Sequence, residues 1–230
     1  MKFALVDNIK TIAIKGRKGI CPSCSSEVIA KCGEVKEPHW AHKTMRNCDT
    51  WWESETEWHR NWKNRFPNQW QEIIKYDKLT GEKHIADICT NGELVVEFQH
   101  SHIVSDERIK REGFYKPMIW IVDGTRLKRD FIRFQMSMSS FKRTNMRGVF
   151  HVSSPAKCFP SNWLQSSVPV LFDFKGTQTL DSKDSRNYLY CILPQINQNE
   201  ITLGVLTREF CVKEILNGGK WFHYGKQISS

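Results

Sequence analysis

Apolar and polar residues alternate with a two-residue period in several short segments of the chain, and this period predicts β-strands. The strand candidates are ALV and TIAI near the N-terminus, then QWQEIIKY, HIADIC and ELVVEFQHS. The last two flank Asn91-Gly92, which predicts a type I′ hairpin turn because that turn needs positive φ at both central residues. Together with a turn at Leu79-Thr80-Gly81, these segments predict a small antiparallel meander.

Two segments show the 3.6-residue period of amphipathic helices. In TWWESETEWHRNWKNRF this period places Trp51, Trp58 and Trp62 on one apolar stripe, which predicts a helix. The segment SDERIKREGFY predicts a second helix, with Ser105 as its N-cap and acidic residues in its first turn. The continuous apolar run MIWIVDG then predicts a buried strand. The predicted order is therefore helix, three strands, helix and strand.

The C-terminal part of the chain also carries strand-like patterns. The segments VPVLFDF, NYLYCILP and ITLGVL predict strands, and TREFCVKEILNGG predicts a late helix. Residues 148–230 contain no evident catalytic motif. We expect this part to complete the core, or to offer a surface for a protein partner or for homo-oligomerisation.

The composition narrows the class of protein. At 230 residues the chain is long enough for one medium domain with small additions. It has no apolar run long enough to span a membrane and no signal-peptide hydrophobic region, so we expect a cytoplasmic protein without membrane contact. The formal net charge of +9 favours a polyanionic partner.

Cysteine and histidine residues between positions 21 and 48 have the spacing of a metal site. CPSC supplies a C-x2-C pair, HWAH supplies an H-x2-H pair, and the intervening EVIAKCGEVKEPHW predicts a hairpin that folds them together. Thiolate and imidazole ligands suit tetrahedral zinc, and four ligands with no open position indicate a structural ion. Buried free cysteines are the alternative. The predicted zinc ligands are Cys21, Cys24, His42 and Cys48, with Cys32 and His39 as substitutes that the spacing leaves open.

Asp87 and Glu97 are two acids that the predicted hairpin brings together. Because strand side chains alternate between faces, Glu97 shares its face with Val95, Gln99 and Ser101. Two close carboxylates repel each other unless a cation or a proton lies between them. An oxygen-preferring ion such as Mg²⁺, or Mn²⁺ in its place, is the natural partner. The alternative is that Asp87 is a strand-end turn residue and Glu97 an exposed strand residue.

The first predicted helix carries a polar row beside its apolar stripe. Glu55, His59 and Lys63 are spaced i, i+4 and i+8, so they follow one edge of the helix. If this row faces Asp87 and Glu97, Glu55 adds a metal ligand, while His59 and Lys63 hold water or phosphate. The alternative is a solvated ladder of side chains that contributes a few tenths of a kcal/mol.

The segment 126–147 is strongly basic. It holds seven Lys or Arg residues against the single acid Asp130, with apolar residues such as Phe131 and Phe134 between them. Phosphate contacts need charge and no sequence code, so this pattern predicts a surface for a nucleic-acid backbone. The alternative is the solvated face of an amphipathic helix. The predicted contacts are Arg126, Lys128, Arg129, Arg133, Lys142 and Arg143, with Arg111 from the preceding helix.

The order of these motifs resembles a known family. The pattern D-x9-E-x-Q resembles the PD-(D/E)xK nuclease core, with Gln99 at the position of the lysine. C-P-x-C, H-W-A-H-K, E-T-x2-H-x3-K, I-A-D, E-F-Q-x-S, R-x3-Y and I-W then resemble, in order, the competence protein CoiA-like family over residues 19–124. The resemblance implies a zinc-finger-like knuckle followed by a restriction-endonuclease-like nuclease core.

By this resemblance, residues of the chain map to motif positions of the family. The active-site positions are Glu55, Asp87, Glu97 and Gln99, and the accompanying positions are His59, Lys63, Ser101, Arg111 and Tyr115. The expected fold class is α/β, a mixed α+β sheet with an αβββαβ core. We expect a zinc knuckle with N-terminal strands over 1–50, the nuclease core over 51–125, and a basic stretch with a C-terminal extension over 126–230.

The function expected from motifs and resemblance is a Mg²⁺- or Mn²⁺-dependent deoxyribonuclease. The alternative is a zinc-stabilised DNA- or protein-binding adaptor whose nuclease fold is catalytically silent, and RNA is a third, weaker choice of substrate. Competence, recombination and phage defence all remain open as biological settings.

Overall fold

The computed structural model describes residues 1–34, 36–44, 48–194 and 200–222, and its chain divides into two units, Met1–Ile88 and Cys89–Ser230. Most elements of the first unit are short strands. Its elements are β1 (Phe3–Val6), β2 (Ile9–Ile12), β3 (Lys18–Ile20), β4 (Glu27–Lys31), β5 (His39–His42), α1 (Glu57–Lys63), β6 (Gln71–Tyr76) and β7 (Lys83–Cys89).

Strands β1 to β5 form an antiparallel sheet in the order β2-β1-β3-β4-β5. The β1–β2 hairpin turns at Asp7 and Asn8, whose φ values of 52° and 63° are those of a two-residue turn between twisted strands. The predicted hairpin over EVIAKCGEVKEPHW is confirmed by the pairing of β4 with β5. The small core of this sheet contains Ala4, Ala13, Cys21, Val28 and Trp40.

Helix α1 is shorter than the sequence pattern predicted. It begins after Thr56, whose side chain accepts a hydrogen bond from the His59 amide, and such a cap defines a helix start more strongly than an apolar stripe does. Trp51 and Glu55 therefore lie outside the helix, so their predicted places in it are wrong. Strands β6 and β7 form the predicted antiparallel pair.

The second unit contains both helices and strands. Its elements are β8 (Val95–Gln99), α2 (Ser105–Phe114), β9 (Met118–Asp123), α3 (Lys128–Ser137), β10 (Lys142–Arg143), β11 (Val149–Ser153), α4 (Ser161–Leu164), β12 (Val170–Asp173), β13 (Tyr188–Ile192), β14 (Glu200–Thr207) and α5 (Arg208–Leu216). Hydrogen-bonded neighbours within this unit run β8-β9-β12-β13-β14-β11-β10. The pairs β8–β9 and β9–β12 are parallel, and both β9 and β12 are buried along their whole length, as the apolar runs predicted.

Two local predictions in the second unit are corrected. The positive φ before β8 falls on Glu93, at 65°, and not on Asn91 or Gly92. The Glu93 amide bonds to the carbonyl of Thr90, so the loop is a turn followed by one left-handed residue, and the predicted type I′ turn is wrong. Helix α2 begins at Ser105 with Val104 as its N-cap, one residue earlier than predicted.

The chain order α1, β6, β7, β8, α2, β9 confirms the predicted αβββαβ sequence of elements, and the fold class is mixed α/β with a restriction-endonuclease-like core. The C-terminal strands and late helix form where the apolar runs predicted them. Strands β12 to β14 extend the sheet that contains β9, so they complete a core. The division at residues 50 and 125 stays a prediction. None of the helices described is both long and apolar enough to cross a membrane.

Candidate metal centre and carboxylate cluster

Four residues of the first unit bring sulfur and nitrogen atoms together, and we call them the Cys/His cluster: Cys21, Cys24, His42 and Cys48. Their candidate ligand atoms all lie within 4.8 Å of one another. The Sγ atoms of Cys21 and Cys48 are 3.6 Å apart, and the Cys24 Sγ is 3.3 Å from His42 Nε2. The structure thus gathers the four ligands that the spacing predicted.

The local backbone explains how distant residues converge on this cluster. After β3, the amides of Cys21 and Ser25 bond to the carbonyls of Ser26 and Cys21, which closes a tight knuckle with Ser25 at φ 61°. The β4–β5 pairing places His42 opposite Val28, next to the knuckle. Cys32 and His39 lie outside the cluster: Cys32 Sγ contacts the Ala13 carbonyl, and His39 Nδ1 contacts the Glu37 carbonyl.

The donor set fits a soft tetrahedral metal such as zinc, because three thiols and one imidazole form a common structural zinc site. Burial opposes the thiolate of Cys24, but hydrogen bonds with Ser26 and His42 outweigh it and lower the pKa of Cys24 to about 6. Burial and the adjacent sulfurs of Cys21 and Cys24 raise the pKa of Cys48 to about 12. A bound cation would favour the thiolate at every position, so metal binding would release protons.

A second polar group in the first unit surrounds one buried ammonium, and we call it the Lys63 cluster: Lys63, Glu55, Glu72 and Asp87. Lys63 Nζ lies 3.1 Å from Glu55 Oε1, 3.0 Å from Glu72 Oε1 and 3.2 Å from Asp87 Oδ1. The Lys63 side chain is 4% exposed. Burial opposes its charged form, but the three carboxylates outweigh burial and raise the pKa of Lys63.

The Lys63 cluster combines predicted and unpredicted residues. Although Glu55 precedes the helix, its carboxylate still reaches Lys63 at the end of α1, and it also pairs with Arg60. Asp87 comes from β7, so the predicted neighbourhood of Glu55, Lys63 and Asp87 is present. The pairing of Asp87 with Glu97 stays a prediction.

Glu72 is the member of the Lys63 cluster that sequence reasoning missed. It lies in β6 at φ 48°, and its two carboxylate oxygens accept the amides of Lys2 at 2.6 Å and Phe3 at 3.0 Å. Burial alone would raise the pKa of Glu72, but Lys63, the N-terminal amine and these two amides lower it to about 2. The only local signal was one acid in a strand-like segment, and its partners lie about 70 positions away.

His59 belongs to a neighbouring network. Its Nε2 lies 2.9 Å from Glu53 Oε1, and its Nδ1 lies 3.1 Å from Thr56 Oγ1. Burial opposes protonation, but the Glu53 hydrogen bond and the charge of Asp87 outweigh it and raise the pKa of His59. In the predicted row, therefore, His59 bonds to Glu53 and Thr56, while Glu55 and Lys63 bond to each other.

The predicted residues on β8 have buried partners within the second unit. Glu97 Oε2 accepts a hydrogen bond from Arg111 Nη1 at 3.3 Å, and Arg111 also pairs with Glu107. Gln99 Nε2 donates at 3.2 Å to both the carbonyl and the hydroxyl oxygen of Ser101. Arg111 therefore holds Glu97 in place. The contact of Arg111 with nucleic acid stays a prediction.

The remaining predicted nucleic-acid contacts lie on α3, on the turn before it and on β10. Arg133 is half-buried and pairs with Asp130 at 3.2 Å, whereas the others are exposed: Arg126, Lys128, Arg129, Lys142 and Arg143. Phe134, one of the interleaved aromatics, is fully buried against Phe174 and Tyr190. The buried aromatic residue of this segment thus packs in the core, while most of its cations are exposed to solvent.

Two sequence models of one family match the chain in succession. The first, Competence protein CoiA, N-terminal domain, matches residues 6–50, and the second, Competence protein CoiA, nuclease-like domain, matches residues 56–160. The Competence protein CoiA of Bacillus subtilis (strain 168) is 32% identical over 140 residues, which cover 55% of this chain and 37% of that protein. The chain thus spans little more than a third of that relative's length. No solved structure matches the chain significantly.

Proposed function

The chain belongs to the CoiA-like family, and we propose that it is a metal-dependent nuclease that hydrolyses DNA phosphodiester bonds. The observation that carries the proposal is the convergence of Glu55, Glu72 and Asp87 on Lys63. Burying this many carboxylates is costly unless cations compensate them. Such a cluster in a nuclease-like domain favours phosphoryl chemistry over a purely structural ion pair.

The divalent ion would be held by Asp87, with Glu97 as the second ligand carried forward from the sequence prediction. A Mg²⁺ or Mn²⁺ ion bound there would polarise the phosphate and lower the pKa of the attacking water. Glu55 supplies a further oxygen next to Lys63. The hard carboxylate oxygens of these residues fit Mg²⁺, whereas the Cys/His cluster does not.

The chain's own residues then have separable roles in the proposed reaction. Water adds to phosphorus while the bond to the leaving oxygen breaks, and that oxygen takes the bonding electron pair and a proton. Lys63 places a fixed positive charge beside Asp87, where negative charge builds up on the phosphate. Gln99 stands where other nucleases of this kind have lysine, and its carboxamide, whose Nε2 donates to Ser101, would orient the attacking water.

The test of the proposal compares two acid-to-amide variants from the same hairpin. Asp87→Asn removes the charge of the proposed metal ligand, whereas Asp77→Asn changes an acid in the β6–β7 turn that caps the amides of Leu79 and Thr80. Purified chains are incubated with supercoiled plasmid, single-stranded DNA and RNA of matched sequence in Mg²⁺ or Mn²⁺. We expect the native chain and Asp77→Asn to cleave DNA and Asp87→Asn to be inactive yet folded. Equal cleavage by both variants would remove Asp87 from the site.

A second candidate function is favoured by one observation, the ammonium of Lys63 at the centre of the acids. Because this cation already compensates the carboxylates, the cluster is stable without a divalent ion, as in an adaptor with a silent nuclease fold. Titration calorimetry that finds no Mg²⁺ or Mn²⁺ binding, together with salt-sensitive DNA binding, would support the adaptor.

Substrate, partners and setting are part of the proposal. We propose DNA as the polyanion, because the exposed cations of α3 and β10 suit a backbone that is read by charge. The matching relative is named a competence protein, which suggests DNA processing in competence or recombination, and antiviral defence is the other setting. A cytoplasmic location, and a C-terminal surface for a protein partner or a second copy, complete the proposal.

A further inference from the structure

The first three residues of β7 are bound to both chain segments that carry the cysteines of the Cys/His cluster. Lys83 Nζ donates a hydrogen bond to the carbonyl of Ser23, which lies inside the C-x2-C knuckle. His84 Nδ1 lies 2.8 Å from Asp49 Oδ1, and the Ile85 amide donates to Asp49 Oδ2 at 2.7 Å. Asp49 directly follows the ligand Cys48, so both ends of the cluster hold the same strand.

Asp49 is the central residue of this connection. Its side chain is 7% exposed, and besides His84 and Ile85 it accepts the Trp51 amide at 2.9 Å. The Trp51 ring stacks on His84 with a centroid distance of 3.2 Å, and the His84 side chain is buried. A buried carboxylate with several donors is held rigidly, because the loss of any one donor leaves a desolvated charge less well compensated.

Ile85 and Asp87 are two positions apart on β7, so their side chains share a face and their Cα atoms are about 7 Å apart. Any displacement of the Ile85 amide therefore displaces Asp87, whose carboxylate lies 3.2 Å from Lys63. Glu55 does not depend on these contacts, because it is held by its ion pairs with Arg60 and Lys63 of α1.

We propose that Asp49 and Lys83 are positioning residues that couple metal occupancy of the Cys/His cluster to the placement of Asp87. The consequence for catalysis rests on the proposed nuclease function, whereas the coupling itself does not. A metal that fixes Cys24 and Cys48 also fixes Ser23 and Asp49, the two anchors of β7. Loss of the metal from the Cys/His cluster releases both anchors. Asp87 then moves, although neither Lys63 nor Asp87 is a ligand of that metal.

Hydrogen–deuterium exchange of the full chain tests the coupling without any activity measurement. The peptide that covers residues 83–88 is compared in zinc-loaded protein, in chelator-treated protein and in zinc-loaded Asp49→Ala. Charge-assisted hydrogen bonds of this kind contribute about tenfold or more to local protection. We expect exchange in this peptide to accelerate by at least that factor after chelation and in the variant, while residues 170–173 of β12 stay protected.

Two controls keep this experiment decisive. If Asp49→Ala does not fold, Asp49→Asn serves, because its one carboxamide oxygen can retain only part of the acceptor set. Glu82→Gln is the matched control: Glu82 is 55% exposed and contacts the other nitrogen of His84, at 2.9 Å. Unchanged protection of residues 83–88 in a zinc-loaded Asp49 variant, or after chelation, would overturn the coupling.

The catalytic consequence has its own readout, the Mn²⁺ concentration that gives half-maximal DNA cleavage. We expect a zinc-loaded Asp49 variant to need about tenfold more Mn²⁺, since one misplaced ligand weakens a site by that order, and Glu82→Gln to need no more than the native chain. A merely structural role would lower the amount of folded enzyme but leave this Mn²⁺ dependence unchanged. If the native chain cleaves no DNA but hydrogen exchange still shows the coupling, the proposed nuclease function is wrong and the positioning role of Asp49 and Lys83 is retained.

Discussion

The Cys/His cluster and the Lys63 cluster lie in the same unit but compensate their charges in opposite ways. The Cys/His cluster gathers four ligand atoms within 4.8 Å and has no cation among them. The Lys63 cluster gathers three carboxylates around an ammonium supplied by the chain itself, at 3.0 to 3.2 Å. The Cys/His cluster therefore offers a site for an external metal cation such as zinc, whereas the Lys63 cluster has a cation of its own.

This difference in charge compensation suggests a role in stability for the Cys/His cluster and a role in the proposed reaction for the Lys63 cluster. A site that lacks an internal cation gains most of its order from the metal, so the metal contributes to stability. A site that is already compensated folds without a metal, which under the proposed nuclease function would let a divalent ion bind and leave during turnover. The soft donors of the Cys/His cluster and the hard oxygens of the Lys63 cluster also favour different kinds of metal ion.

The largest expected effect is the loss of the Cys/His cluster. Cys21→Ser removes a buried thiolate ligand, and apparent binding energies of structural zinc are on the order of 10 kcal/mol. We expect the variant to yield little soluble protein, whereas the native chain purifies with one zinc per chain. Metal analysis by mass spectrometry checks this. Native protein without zinc, or a soluble Cys21→Ser chain of unchanged stability, would contradict the dependence on an external cation.

The next effect concerns the internal cation. Lys63→Met leaves three carboxylates without their central partner, which should lower the free energy of unfolding by about 3–5 kcal/mol. Urea unfolding measures the change, and Lys78→Met, an exposed lysine in the β6–β7 turn, is the control. A variant as stable as the control would show that the ammonium does not compensate the cluster.

The pH dependence of stability tests the charge compensation of the Lys63 cluster through Glu72. Its pKa is lowered from 4.5 to about 2, so its contribution is present above pH 4.5 and is lost as the pH falls towards 2. A shift of that size corresponds to about 3 kcal/mol as an upper order of magnitude. We expect Glu72→Gln to flatten the acid limb of stability, measured by urea unfolding at pH 3 and pH 6. Glu82→Gln should leave the limb as steep as in the native chain.

The smallest effect falls on exposed cations that form no ion pair with the acids of the described residues. Exposed Arg129 and Arg143 have charge available for phosphates, whereas Arg186 is paired with Asp184 at 2.6 Å. Replacing either exposed arginine by glutamine should reduce the slope of log binding constant against log salt by about one. Fluorescence anisotropy with labelled DNA measures the slope. The same slope for Arg129→Gln and Arg186→Gln would remove α3 from the DNA surface.

Much of the fold could be predicted because its signals are local. The apolar runs of β9 and β12, the order of elements and the ligand spacing from Cys21 to Cys48 are all local features. The start of α1 could not be read from an apolar stripe, because the Thr56 cap decided it. The Asn91-Gly92 dipeptide allows a type I′ turn but does not require one, and here Glu93 takes the positive φ.

The candidate site was predicted only as far as its sequence motifs reached. Glu55, Lys63 and Asp87 stand in motifs, whereas Glu72 and Asp49 gain their roles from partners far along the chain. Glu72 binds amides at positions 2 and 3, and Asp49 binds the amide at position 85. Such long-range acceptors for backbone amides leave no periodic pattern, so only the folded chain identifies them.

The central ammonium also makes Lys63 a natural reporter of site integrity. Amine-acylating reagents react with the neutral, accessible amine, and Lys63 is both buried and held protonated by its three acids. In peptide mapping after brief acylation, Lys63 should therefore stay unmodified while the exposed Lys78 is labelled. Labelling at Lys63 would then reveal opening of the carboxylate cluster before any loss of overall structure could be detected.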